Sequence, residues 1–93
     1  MFNIEWDDLL NKNNINIIDI RDKNKYIVSH VFNSINIDVF ELKNNPYKYL
    51  NKDDIYYIYC DNGYKSKRIV SYLNSLGFNT VNINGGFYNY LFR

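Results

Sequence analysis

Short runs of β-branched and aromatic residues recur along this chain, each followed by a stretch with helical spacing, and few architectures accept that alternation. Ile15-Asn16-Ile17-Ile18-Asp19-Ile20 is nearly continuous in apolar character, as a strand buried on both faces of a parallel sheet must be. Phe2-Asn3-Ile4, Ser34-Ile35-Asn36-Ile37, Ile55-Tyr56-Tyr57-Ile58-Tyr59 and Thr80-Val81-Asn82-Ile83 read as four further strands. Between them, residues 5–11 carry Trp6, Leu9 and Leu10 at helical spacing, and residues 21–28 can form a short helix. Helical pieces are also expected over residues 39–43 and from Pro46, a residue suited to a first helical turn. The spacing of Ile69, Val70, Leu73 and Leu76 predicts a helix over residues 65–76 that stops at Gly77, and Gly85-Gly86 leads into a last aromatic helix. Parallel strands need crossover connections, so this order predicts an α/β domain with a mainly parallel sheet. Ligands of such sheets bind beyond the carboxyl ends of the strands.

Ninety-three residues are the length of one domain, spanning 1–93, able to bury somewhat over ~60% of the surface of its unfolded chain. A hydrophobic content of 46% is that of a globular chain, and Asn is interleaved with Ile, Tyr, Val and Leu rather than gathered in a disordered tract. The formal net charge of +1 provides no electrostatic drive towards nucleic acid or an anionic membrane, so neither is expected as a partner. The ten tyrosines, without a basic stripe, are assigned to packing rather than base stacking. A single cysteine forms no internal disulfide, no apolar run approaches the ~18 residues of a membrane span, and Met1-Phe2-Asn3-Ile4-Glu5 lacks the basic start and apolar stretch of a signal peptide. The expectation is a soluble protein of a reducing cytoplasm.

That single cysteine, Cys60, stands where the strand over 55–59 breaks into Asp61-Asn62-Gly63-Tyr64-Lys65-Ser66 and the helix begins. A thiol at this junction faces the open N-terminus of a helix, whose unpaired N–H groups and dipole stabilise an anion. The thiolate is the nucleophilic form. Gly63 permits a backbone conformation that turns successive N–H groups inward, so the amides of Asp61 to Ser66 are expected to form an oxyanion cradle. Lys65 is the cation within the loop, and Asp61, beside the nucleophile, should oppose anion binding. Ser66 is suited equally to hydrogen-bonding the sulfur and to satisfying the first amides of the helix. Asp19 and Arg21 close the second strand, which puts them on the same rim of the sheet as Cys60. They read first as a stabilising ion pair and second as a support for the loop. His30 reads as a structural, hydrogen-bonded histidine rather than a general base, since thiol exchange needs no separate base.

Three blocks of the chain together resemble a single-domain rhodanese. Ile18-Asp19-Ile20-Arg21 with Tyr26, His30 and Ser34-Ile35-Asn36-Ile37 is similar to that family's Asp-x-Arg stretch and the Gly-His-Ile-Pro-Gly-Ala-x-Asn-Ile stretch after it. Cys60-Asp61-Asn62-Gly63-Tyr64-Lys65-Ser66 resembles its Cys-x-x-Gly-x-[Arg/Lys]-Ser active loop, and Gly77-Phe78, Val81, Asn84-Gly85-Gly86-Phe87 and Tyr90 resemble its closing block. The resemblance implies a three-layer α/β/α fold around a central five-stranded parallel sheet. It also implies a sulfurtransferase in which Cys60 takes sulfane sulfur from a donor such as thiosulfate as a persulfide and passes it to a thiol or cyanide acceptor, or to a sulfur-relay protein. Neither a metal nor an organic cofactor is required by that chemistry. The chain departs from the family pattern at Asp61, at Ser29, Phe32, Asn33 and Ser34 around His30, and at Tyr90 in place of Trp. Asn33 is compatible with a glycine position because Asn visits the left-handed region readily.

Two other readings compete with sulfur transfer. A cysteine-dependent phosphatase or arsenate reductase needs Cys-x5-Arg, and position 66 is Ser66. A non-enzymatic reading is a rhodanese-like module in which the loop recognises a protein or the thiol reports redox state; Cys60 argues against it and Asp61 for it.

Overall fold

The computed structural model describes residues 2–93. Its five strands are β1 (Asn3–Ile4), β2 (Asn16–Asp19), β3 (Ser34–Asn36), β4 (Ile55–Tyr59) and β5 (Asn79–Ile83). They form one sheet in the order β1-β5-β4-β2-β3, with every neighbouring pair parallel. The helices are α1 (Trp6–Leu10), α2 (Lys23–Val28), α3 (Val39–Asn44), α4 (Pro46–Tyr49), α5 (Tyr64–Ser75) and α6 (Gly86–Leu91). Among the described residues no helix is long and apolar enough to cross a membrane.

The alternation of side chains along each strand distributes the apolar residues into two cores, one per face of the sheet. Ile18, Tyr56, Ile58 and Cys60 point to the face covered by α3, α4 and α5, where they meet Leu42, Ile69, Val70 and Leu73. Ile17, Tyr57 and Tyr59 point the other way, towards Trp6 and Leu9 of α1 and Phe87 of α6. Strands sandwiched in this way have no solvent face, which is why Ile17-Ile18 of β2 and the whole of β4 are apolar at successive positions. The expected three-layer α/β/α architecture is therefore the observed one.

Element ends differ from the sequence reading by a residue or two, each for a local reason. The helix expected over 21–28 starts only at Lys23, because Arg21 folds back to hydrogen-bond Asp19. The helix expected over 65–76 begins at Tyr64, directly after Gly63, and ends at Ser75. At that end the Gly77 N–H donates to Asn74 O and the Phe78 N–H to Leu73 O, a Schellman closure whose apolar pair, Phe78 and Leu73, sits in the α5-side core. Asn33 adopts φ +67°, the left-handed conformation expected of it.

Candidate active site

Cys60 follows the last residue of β4, and the alternation that sends Tyr59 to the α1–α6 face sends the Cys60 side chain under the start of α5. Only 3% of it is exposed. The Gly63 N–H donates to Sγ at 3.1 Å and the Ser66 N–H at 3.4 Å, so two of the loop's amides converge on the sulfur. The Tyr64 amide is taken by Asn62 Oδ1 at 3.1 Å, which tightens the loop rather than adding to the cradle. Gly63 achieves this turn at φ +101°, a conformation that L side chains rarely adopt.

A buried polar chain runs inward from the sulfur. The Cys60 thiol donates to Ser66 Oγ at 3.3 Å, and the Ser66 hydroxyl donates to Asn82 Oδ1 at 2.5 Å. Asn82 Nδ2 in turn donates to Asn3 Oδ1 at 3.1 Å. Ser66 is fully buried and Asn82 nearly so, so these contacts are shielded from water. Ser66 thus touches the sulfur with both its amide and its hydroxyl. The sequence reading did not reach Asn82, because a polar residue in a strand says nothing of a partner sixteen positions away.

The far side of the loop is held by α6. The Phe87 N–H donates to Cys60 O at 2.8 Å and the Tyr88 N–H to Asp61 O at 3.0 Å. That approach is possible only at a glycine, since a Cβ on Gly86 would lie 2.5 Å from Cys60 O and 2.8 Å from Asp61 O. Trp6 Nε1–H fixes the same turn by donating to Gly86 O at 2.8 Å, and the Tyr90 ring packs against Trp6 at 5.0 Å between ring centroids, tilted by 59°. The Gly85-Gly86 pair was the one sequence signal of this close packing.

Asp61, expected from its charge to oppose anion binding, is half of an ion pair. Its carboxylate accepts from Lys25 Nζ of α2 at 2.9 Å. The hydrogen bond and charge of Asp61 raise the Lys25 pKa above its ordinary value. Lys65, read from the sequence as the cation within the loop, is exposed and lines a groove between α3 and α5. The Tyr64 side chain is exposed as well.

Asp19 and Arg21 form a buried bidentate pair, with Nε donating to Oδ1 at 3.1 Å and Nη2 to Oδ2 at 2.8 Å, while Arg21 Nη2 also donates to Ser29 O at 2.6 Å. Burial works against the charge of Arg21, but the hydrogen bonds and charge of Asp19 outweigh it and hold the guanidinium pKa above its ordinary value. The guanidinium lies 4.0 Å over the Phe87 ring, so the pair packs against the residue whose amide grips Cys60 O. Burial, with Asp19 adding to it, raises the pKa of the Tyr59 phenol, which accepts from Val31 N at 3.2 Å. His30 is exposed, with Nδ1 2.7 Å from Tyr26 O and its ring stacked on Tyr26 at 3.8 Å. The structure therefore gathers Cys60, Gly63 and Ser66 at one point. Asp19, Arg21 and His30 stand outside it.

A family model described as a rhodanese-like domain matches residues 4–92. The adenylyltransferase and sulfurtransferase of Ogataea parapolymorpha is 35% identical over 71 residues, which are 75% of this chain and 18% of that protein. The chain spans under a fifth of the length of the curated relatives it matches. Among solved structures, a rhodanese-related protein of Thermoplasma volcanium superposes with a TM-score of 0.88 at 32% identity, covering 98% of this chain and 91% of the other. A human single-domain sulfurtransferase shares the fold at a TM-score of 0.87 and 17% identity, covering 100% and 97% of the two chains. Since the family match runs from β1 through α6 and is carried on the same five-stranded parallel sheet, the chain belongs to the rhodanese-like domain family.

Proposed function

We propose that this protein is a sulfurtransferase that carries sulfane sulfur as a persulfide on Cys60. One observation supports this above the others: Sγ sits where the Gly63 and Ser66 amides converge, so negative charge on sulfur meets two donors in a site closed to bulk water. In the first half-reaction the Cys60 thiolate attacks the outer sulfur of a donor such as thiosulfate. The donor's S–S bond breaks, its electron pair leaves on sulfite, and Cys60 bears the persulfide. In the second half-reaction a thiolate or cyanide attacks the outer sulfur, and the pair of the breaking S–S bond returns to Sγ. The acceptor leaves as a persulfide or as thiocyanate. The relative from Ogataea parapolymorpha, named for sulfur transfer, supports the same reading, and a relay protein is an acceptor class alongside small thiols.

The test is the mass of the intact protein after exposure to thiosulfate and other sulfane donors. The expected result is a gain of one sulfur atom on Cys60 that thiol or cyanide removes. The Cys60→Ser variant should fold and neither gain the mass nor transfer sulfur. An unmodified mass with every donor, or full transfer by the serine variant, refutes the proposal and leaves the non-catalytic binding reading in its place.

A further inference from the structure

Positive charge near the active loop is distributed unevenly. On the α2 side, Lys25 is neutralised by Asp61. On the other side, α3 and α5 enclose a groove of about 390 Å³ into which Lys43, Lys65 and Arg68 project, with Ile69 and the rings of Phe40 and Tyr72 among its lining. Among the described residues, none of these three cations forms a salt bridge. The acidic groups closest in sequence to Lys43 are engaged elsewhere. Asp38 caps the first amides of α3 at 3.0 and 3.2 Å, and Glu41 accepts from Tyr49 Oη at 3.1 Å and pairs with Lys48 at 3.7 Å. The groove is thus basic, partly apolar and without a carboxylate in its lining.

Its position along α5 ties it to the sulfur. Lys65, Arg68, Ile69 and Tyr72 follow one another at helical spacing, so they share one face of α5. Lys65 directly precedes Ser66, whose amide reaches Sγ, and Ile69 packs in the same core cluster as Cys60. Arg68 lies about one helical turn, roughly 5 Å, further from the loop. Cys60 is not itself part of the groove's lining, but a molecule held along this face of α5 with anionic groups at Arg68 and Lys43 has its other end at Lys65, next to the residue whose amide reaches Sγ.

We infer that this groove binds the acceptor and selects thiols that carry carboxylates on a short carbon chain. The inference rests on the sulfurtransferase reading for its chemistry: the acceptor thiol releases its proton to solvent, its thiolate attacks the outer sulfur of the Cys60 persulfide, and the electron pair of the broken S–S bond returns to Sγ. The charge of the acceptor takes no part in that exchange, so preference among acceptors reports the groove.

The experiment has two arms. In the first, protein loaded with sulfur and freed of donor is mixed in single turnovers with mercaptosuccinate, 3-mercaptopropionate, 2-mercaptoethanol and cysteamine, each rate being referred to thiolate concentration. At low salt the rate constants are expected to rise by roughly three- to tenfold per added negative charge, and the spread should shrink at 1 M salt. In Lys43→Glu and Arg68→Glu the ratio of mercaptosuccinate to 2-mercaptoethanol rates should fall by a similar factor. The second arm needs no catalysis. Succinate titrated into the Cys60→Ser variant should shift the amide resonances of Lys43, Arg68 and Ile69, and charge reversal at Lys43 or Arg68 should abolish those shifts. Flat acceptor ratios together with no succinate shifts overturn the groove as an anion site. Succinate binding in a protein that never loads sulfur overturns the sulfurtransferase reading and the acceptor role with it. Succinate binding with flat acceptor ratios in loaded protein overturns the acceptor role alone.

Discussion

Ser66 and Asn82 form a buried pair whose worth can be measured as a coupling. Ser66 Oγ and Asn82 Oδ1 are 2.5 Å apart, and both residues are at most 3% exposed. Ser66→Ala removes the donor and leaves Asn82 Oδ1 buried without it, a loss expected to cost about 1–3 kcal/mol. Asn82→Leu keeps the approximate shape and removes the acceptor, but Ser66 Oγ keeps Gly63 O at 3.3 Å as an alternative, so this change should cost less on the serine side. The double variant removes both partners of this hydrogen bond, and the donor that Asn3 Oδ1 loses with Asn82 is lost equally in Asn82→Leu, so that loss cancels in the coupling. The coupling should therefore be about 1–2 kcal/mol, with the double variant more stable than the sum of the singles predicts. Equilibrium urea unfolding of the four proteins under reducing conditions measures it. Each 1 kcal/mol should also appear as roughly 4–8 °C in Tm for a chain of this length. If the two changes add within about 0.5 kcal/mol, the hydrogen bond between Ser66 and Asn82 is not a stabilising contact.

Three further outcomes follow from the same geometry. Asp61→Asn should speed thiosulfate loading by freeing the Lys25 ammonium beside the loop, and the gain should be smaller in a Lys25→Met background; equal gains in both backgrounds, measured by stopped mass analysis, would show that Lys25 does not mediate the effect. Gly86→Ala must place a Cβ against two backbone carbonyls at φ +59°, so a loss of at least about 1–2 kcal/mol and a slower transfer are expected, and unchanged thermal unfolding would refute the tight packing of α6 on the loop. Aryl phosphate hydrolysis that depends on Cys60 should be undetectable, because position 66 holds a fully buried serine turned towards Sγ and Asn82 instead of a clamp arginine; Cys60-dependent turnover would reverse that assignment.

The alternation of apolar strands with helical stretches, the two-residue period that sends Tyr59 and Cys60 to opposite cores, and the strand, glycine loop and helix around Cys60 were all legible in the sequence. These are local signals: side-chain period, helical spacing and the conformational demands of Gly63 act between near neighbours, and they decide the element order and so the fold class. Tertiary structure alone decided which polar groups meet. Lys25 reaches Asp61 across 36 positions, Ser66 reaches Asn82 across sixteen, and α6 closes on the Cys60 carbonyl because Gly86 leaves room for it. No periodicity encodes such pairs. A lysine on a short helix and an asparagine in a strand each have many acceptable partners, and only the packing of the crossover helices on the sheet selects one. The same packing made Asp61, whose charge alone was legible, half of an ion pair, and placed Lys43, Lys65 and Arg68, which form no salt bridge among the described residues, on the opposite, α3–α5 side of the loop.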